Sequence, residues 1–115
     1  MPREPDSVEV LNSQILSHLK SFARSESFLP RLISTFEEHG RSSLSEMEEA
    51  FASGDREALG RIAHRFKGSC LNIGAGALAE RLRDLEEACR GSEPVVSSDM
   101  RELFALTCKK LHDFS

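Results

Sequence analysis

The sequence contains no tryptophan and no tyrosine, and its longest apolar runs span only a few residues. Leucine, isoleucine, phenylalanine and alanine must therefore supply any core. A membrane-spanning helix or the apolar part of a secretion signal needs a longer apolar run than this chain has. We expect a cytoplasmic protein without membrane insertion, and tethering at the membrane as part of a larger sensor protein remains open.

Paired cysteine motifs and metal-binding histidine motifs are also absent. The three cysteines are odd in number and include no Cys-x-x-Cys pair, which argues against a disulfide framework or a zinc site. We expect them to be buried thiols: Cys70, Cys89 and Cys108. No histidine follows a carboxylate by three residues, as a metal-binding helical bundle would require, and His-Glu-x-x-His is missing. The sequence therefore predicts neither a metal nor a cofactor.

Two kinds of enzyme site have little support. No glycine-rich loop ending in Lys-Ser or Lys-Thr follows a strand, so we expect no ATP binding and no kinase activity. A cysteine–histidine nucleophile is disfavoured because Cys70 faces the opposite side of the helix that carries His64.

The charge distribution disfavours nucleic acid as a partner. The formal net charge is -4, whereas nucleic-acid surfaces favour basic proteins. Residues 1–55 hold ten acidic and five basic side chains, but residues 56–91 hold five acidic and seven basic ones. This locally basic middle is consistent with a site for an anionic group, although random scatter is an alternative.

Helical periodicity runs through a chain whose 115 residues suit one domain. The first helix is predicted from Asp6 or Ser7, with Asp6 and Glu9 at capping-box spacing. A second, from Ser25–Ser27 to residue 52, includes Gly40 as a close-packing position, and a break at His39-Gly40 is the alternative. Asp55 should cap the third helix, Gly74-Ala75-Gly76 should turn the chain, and Gly91 should close the fourth helix. Ser98 or Asp99 should cap the fifth helix. The predicted apolar faces of the five helices are, in chain order, Val8, Leu11, Ile15, Leu19 and Phe22; Leu29, Ile33, Phe36, Gly40, Leu44, Met47 and Phe51; Leu59, Ile62, Phe66, Cys70 and Ile73; Leu78, Leu82, Leu85 and Cys89; and Met100, Leu103, Thr107, Leu111 and Phe114.

Short loops between long amphipathic helices favour antiparallel neighbours. The predicted fold is therefore all-α: an antiparallel up-down-up-down four-helix bundle over about residues 25–115. Residues 1–24 should form an additional N-terminal helix that packs on the bundle, within a single domain of residues 1–115.

The face of the third helix around His64 has an unusual composition. His64 lies about 200° around the helix from the apolar Ile62, so it should point to solvent. Its neighbours on that face, three and four residues away, are Gly60, Arg61, Lys67 and Gly68. A mid-helix glycine costs up to about 1 kcal/mol relative to alanine, which suggests that access to the imidazole is needed. The two cations could donate hydrogen bonds to a phosphoryl group held on the ring.

The segment Ala63–Ser69, AHRFKGS, resembles the His-x-x-Lys-Gly-Ser signature of histidine-containing phosphotransfer (HPt) domains. The resemblance covers roughly residues 26–91, and its other matching segments are Leu29–Phe36, Ala50–Asp55, Gly74-Ala75 with Leu78, and Leu85-Glu86. It implies a four-helix bundle whose histidine takes a phosphoryl group from the aspartate of one receiver domain and passes it to another. His64 would be phosphorylated, Lys67 would stabilise the phosphate, and Gly68 would permit access. Phe66 and Cys70 depart from the commoner leucine and small residue, but both belong to the predicted core.

The implied partners are receiver domains of response regulators, a hybrid sensor kinase, or both. The predicted docking surface on the third helix consists of Gly60, Arg61, Arg65 and Leu71. Mg²⁺ is expected on the receiver and not on this chain. We expect a monomeric phosphocarrier without kinase activity, either a protein of its own or the C-terminal part of a hybrid sensor kinase. The alternative is a helical adaptor that uses the same face for protein contacts without being phosphorylated.

Overall fold

In a computed structural model that describes residues 9–23, 25–91 and 99–115, five helices account for most of the described chain. They are α1 (Ser13–Phe22), α2 (Phe28–Ala52), α3 (Arg56–Ile73), α4 (Gly76–Gly91) and α5 (Asp99–Phe114). The described ranges contain no strand, and none of their helices is long and apolar enough to cross a membrane.

The last four helices form an antiparallel bundle. Helix α3 packs against α2 and α4, and α5 contacts both α2 and α4 on the other side. The α2–α3 and α3–α4 connections are only three and two residues long, so each pair of helices must run in opposite directions. Helices α2 and α5 also run in opposite directions, because Glu37 contacts His112 whereas Glu48 contacts Arg101. The predicted all-α bundle with an additional N-terminal helix is therefore confirmed.

Helix α2 continues without a break through Gly40, which is buried where α2 meets α5. A Cβ atom at this position would overlap the Phe104 ring of α5. That ring packs with Phe36 and Phe66, at centroid separations of 5.9 and 6.0 Å. The interpretation of Gly40 as a close-packing position is confirmed, and the alternative of a helix break is wrong.

The predicted ends of α3 are also present. The Asp55 side chain caps the helix by accepting a hydrogen bond from the backbone N–H of Ala58 at 3.0 Å. Gly74 follows the last turn with a φ of 82°, in the left-handed region that glycine tolerates best. Helix α4 then begins at once, with Gly76 as its first residue and Gly91 as its last. The predicted cap at Ser98 lies outside the described residues.

The prediction for the first helix was wrong over residues 9–12. Asp6, Ser7 and Val8 lie outside the described residues, but Glu9 is not helical, and α1 begins only at Ser13. The Asn12 side chain caps α1 by accepting from two backbone N–H groups, and the backbone N–H of Asn12 donates to the Gly74 carbonyl at 2.7 Å. This tertiary contact holds residues 9–12 against the α3–α4 turn, so they cannot continue the helix.

Several assigned core positions shift by one residue. Leu16 is fully buried in α1, whereas the predicted Phe22 is largely exposed. At the end of α2, Ala50 faces the core and Phe51 is exposed, because the inward position falls three residues after Met47 instead of four. Phe104 and Cys108 are core residues of α5, while Leu103 and Phe114 are only partly buried. The remaining predicted faces largely point inward.

Candidate functional site

His64 lies on the outer face of α3, and its side chain is 68% exposed. The helix places it there because Ala63 and Phe66 on either side are buried in the core. The predicted outward orientation is therefore observed.

The side chain of Glu86, on α4, joins His64 to Lys67. One of its carboxylate oxygens, Oε2, lies 2.6 Å from Nδ1 of His64, and Oε1 accepts a hydrogen bond from Nζ of Lys67 at 2.7 Å. Arg90, one turn further along α4, approaches Oε2 at 3.6 Å. The Glu86 side chain is only 10% exposed, so protein groups replace most of its water contacts. The site is thus built by two helices, although all of its predicted members are on α3.

The environment of Glu86 favours its ionised form. The hydrogen bond that Glu86 accepts from Lys67 lowers the pKa of its carboxyl group, burial opposes this, and the hydrogen bond that it accepts from His64 lowers the pKa further. An ionised carboxylate can only accept hydrogen bonds. Nδ1 of His64 must then carry the proton in this contact, which leaves the lone pair of the neutral ring on Nε2.

The two predicted glycines have different surroundings. A Cβ atom at Gly68 would meet nothing within 4 Å, so packing within the chain does not require glycine there. At Gly60 a Cβ atom would lie 3.4 Å from Cβ of Cys89, an ordinary contact. Neither position carries a side chain, so both leave space beside the imidazole for a bulky group to approach.

A groove between α3 and α4 runs beside His64. Its lining also includes Arg56, Glu57, Gly60, Arg61, Glu86, Cys89 and Arg90. Cys89 is only partly buried, so the prediction that it would be a core thiol was wrong, unlike those for Cys70 and Cys108. Burial still raises the pKa of the Cys89 thiol, which keeps it a weak nucleophile beside the imidazole.

The remaining predicted docking residues, Arg61, Arg65 and Leu71, differ in their contacts and in where they lie relative to the groove. Arg65 extends to α2, where its guanidinium lies 2.8 Å from the Glu46 carboxylate. Arg61 lines the groove with Glu57 at 3.6 Å, and this pair is well exposed. Leu71, one further turn beyond Gly68, is 54% exposed. The structure thus brings Gly60 and Arg61 to the His64 groove and leaves Arg65 and Leu71 outside its lining.

Sequence reasoning assigned no role to Glu86 or Arg90. Glu86 lies four residues after Leu82 and three before Cys89, which puts a carboxylate at the inward edge of the α4 apolar face. A carboxylate at a position where the pattern predicts an apolar side chain was the feature of the sequence that could have singled out Glu86. Its partner could not be identified from periodicity, because the contact depends on how α4 packs against α3. Within the described ranges, no group of three histidine, cysteine or acidic side chains could hold a metal ion.

The comparisons with known proteins identify the class to which this helical bundle with its exposed histidine belongs. The Hpt domain family matches residues 31–113, and the chain belongs to this family. It is therefore a histidine phosphotransfer carrier of two-component phosphorelays, a class that interacts with response-regulator receiver domains and has no kinase activity of its own.

The fold is similar to that of histidine-containing phosphotransfer protein B (HptB) from Pseudomonas aeruginosa. The two structures superpose with a TM-score of 0.81 and 29% sequence identity, over 91% of this chain and 93% of that one. No curated protein shows significant sequence similarity to the chain.

Proposed function

We propose that His64 accepts a phosphoryl group from the aspartyl phosphate of one receiver domain and delivers it to the aspartate of another. The observation that carries the proposal is the Glu86 contact, because it occupies Nδ1 and leaves Nε2 of an exposed imidazole free to attack phosphorus. The new N–P bond forms as the O–P bond of the aspartyl phosphate breaks, and the aspartate carboxylate leaves with the electron pair. Donor and acceptor steps are the same reaction in opposite directions.

Lys67 and Gly68 assist this transfer in different ways. Lys67 shares Glu86 with His64, so its ammonium group is held beside the imidazole and can donate a charge-assisted hydrogen bond to a bound phosphoryl group. Gly68 keeps the approach to the ring open, since no other side chain fills the space there. Mg²⁺ belongs to the receiver, whose phosphorylated aspartate needs its charge neutralised.

The receiver is expected to dock over α3 and the α3–α4 groove. Arg61 supplies positive charge in the groove, and Arg65 does so toward α2, while Leu71 offers an exposed apolar contact. A receiver presents its aspartate among other carboxylates, so opposite charge here should raise the association rate and orient the partner. The contact should be small, because a carrier must release each partner between transfers.

A transfer assay with the His64→Gln variant tests the proposal. A receiver carrying labelled phosphate should give the native chain one acid-labile, base-stable phosphate, and His64→Gln should take up none while keeping its helicity. His39→Gln, which changes an exposed histidine of α2, is the matched control and should be labelled like the native chain. An unlabelled native chain that still binds the receiver would instead support the non-phosphorylated adaptor.

A further inference from the structure

The ion pair between Arg65 and Glu46 lies on the α2 side of α3, whereas the groove beside His64 lies on its α4 side. We propose that Glu46 is a specificity-determining residue for docking, because its carboxylate competes with the carboxylates of a receiver for the guanidinium of Arg65. This inference rests on the proposed function, in which a receiver docks over α3. It adds a residue of α2 to the docking surface, and that residue limits the affinity instead of raising it.

The two helices bring the pair together at the surface next to His64. Arg65 lies between His64 and the buried Phe66 on α3, and Glu46 lies beside the buried Met47 on α2. Nη2 of Arg65 donates a hydrogen bond to Oε2 of Glu46 at 2.8 Å, the short distance expected when both groups are charged. In the free chain the guanidinium is therefore engaged with α2 and is not available to a partner without a change of contacts.

The exposure of the pair allows such a change. The Arg65 and Glu46 side chains are 62% and 50% exposed, so water screens their attraction and the pair contributes little to folding. A receiver carboxylate that reaches Arg65 offers the same kind of hydrogen bond in similar surroundings. Glu46 therefore subtracts from whatever Arg65 contributes to binding. A buried ion pair could not exchange in this way, because separating two buried charges carries a large desolvation cost.

Competition from Glu46 also restricts which partners can use Arg65. A backbone carbonyl or a side-chain amide is a weaker acceptor than an ionised carboxylate, so it cannot displace Glu46. Only a partner that presents a carboxylate at this place gains a contact from the guanidinium, which is discrimination by a competing group within the carrier itself. The small net gain also suits a carrier that must release each partner after transfer.

Nitrogen NMR spectra of the Arg65 guanidinium test the ion pair in solution. Glu46→Gln should shift the Arg65 side-chain signals of the free chain, because the charged acceptor is lost. Glu48→Gln is the matched control: it removes the same charge two residues further along α2, but Glu48 pairs with Arg101 of α5 at 2.6 Å. The control should leave the Arg65 signals unchanged. A receiver that cannot be phosphorylated should shift them in the native chain.

Binding titrations with that receiver give the second readout. At about 0.1 M salt, where the Debye length is about 10 Å, distant charges contribute little. Glu46→Gln should tighten binding by about 1.5- to 5-fold, the factor that corresponds to an exposed ion pair. Arg65→Gln should weaken binding. Adding Glu46→Gln to Arg65→Gln should then change nothing further, because Glu46 acts only through Arg65.

The Glu48→Gln control separates competition for Arg65 from general repulsion of an acidic partner. Both glutamine variants change the net charge equally, and the Glu48–Arg101 pair is about as exposed as the Arg65–Glu46 pair. If competition operates, Glu48→Gln should change the dissociation constant clearly less than Glu46→Gln does. Equal tightening by the two variants would overturn the inference.

Two other results would also overturn it: tightening by Glu46→Gln that persists in the Arg65→Gln background, and Arg65 signals that do not respond to Glu46→Gln. In these cases the proposed function would stand as long as the native chain takes phosphate on His64. A native chain that shows the expected coupling but takes no phosphate would overturn the proposed function and leave the competition at Arg65 in place. A native chain that binds no receiver would overturn both.

Discussion

The side chains of His64 and Lys67 on α3 both contact the carboxylate of Glu86 on α4. In the proposed function, His64 offers a nucleophilic nitrogen to solvent, Lys67 places a cation beside it, and the Glu86 contacts hold both side chains. The residues on α3 could be predicted from the sequence because His64, Lys67 and Gly68 are neighbours on one helix face. Glu86 could not be assigned in this way, since it lies 22 residues from His64 and reaches it only when α3 and α4 pack together.

Gly68 permits a prediction in which stability and transfer change in opposite directions. Gly68→Gln should raise the free energy of unfolding by up to about 1 kcal/mol, because glycine is the poorer helix former and the position is open. The longer side chain should nevertheless slow phosphoryl transfer severely by blocking the approach to His64. Thermal unfolding and a transfer time course measure the two effects. A variant that transfers at the native rate would show that the open surface beside the imidazole is incidental.

At the scale of helices, the contact between α2 and α5 depends on a residue without a side chain. Gly40 keeps the apolar phase of α2, which is why a continuous helix could be predicted despite the low helix propensity of glycine. The contact between Gly40 and Phe104 could not be predicted, because the predicted apolar face of α5 did not include Phe104. The start of α1 was likewise missed since a contact between Asn12 and Gly74 determines it, and local periodicity contains no information on such a contact.

The same substitution at two glycines tests this packing. Gly40→Ala should destabilise the bundle by about 1–3 kcal/mol, because the new methyl group overlaps the Phe104 ring and forces α2 and α5 apart. Gly68→Ala is the matched control on α3, where nothing lies within 4 Å, and it should be neutral or stabilising. Chemical denaturation of the two variants gives the comparison. Equal stabilities would mean that the close approach at Gly40 is unimportant.

At the scale of the whole molecule, carboxylates paired between helices make stability dependent on pH. Hydrogen bonds from Lys67 and His64 lower the pKa of Glu86, and a hydrogen bond from Arg101 lowers that of Glu48, below the ordinary value of 4.5. A carboxylate with a lowered pKa in the folded state stabilises the fold above its ordinary pKa. That contribution disappears as the pH falls through the folded-state value.

Glu86→Gln should therefore lower the free energy of unfolding by about 1.5–3 kcal/mol at neutral pH, the usual loss for a hydrogen bond between charged groups. The difference from the native chain should shrink as the pH falls from 4.5 through the lowered pKa of Glu86 in the folded state, because the unfolded chain takes up the proton first and the folded chain then does so too. Glu48→Gln should lower the free energy of unfolding by less than Glu86→Gln does, since the ion pair between Glu48 and Arg101 is about half exposed. Urea titrations at several pH values measure these free energies of unfolding. A difference between variant and native chain that does not depend on pH would contradict the view that the paired carboxylates are ionised.

The docking surface can be tested with two exposed leucines on different helices. Leu71 is 54% exposed on α3, the helix of His64, and Leu106 is 43% exposed on α5. Leu71→Glu should weaken binding to a receiver about tenfold, or about 1.4 kcal/mol, even when the receiver cannot be phosphorylated. Leu106→Glu should leave the dissociation constant unchanged. Equal weakening by both variants, or weakening by Leu106→Glu alone, would place the interface elsewhere on the bundle.

The most direct test of the central claim is to locate the phosphate on the native chain after incubation with a phosphorylated receiver. Fragmentation mass spectrometry under neutral or basic conditions preserves phosphohistidine and identifies the modified residue. The account predicts one phosphate per chain, attached to His64 and lost on acid treatment. Phosphate on His18, His39 or His112, or on an acid-stable side chain, would contradict it.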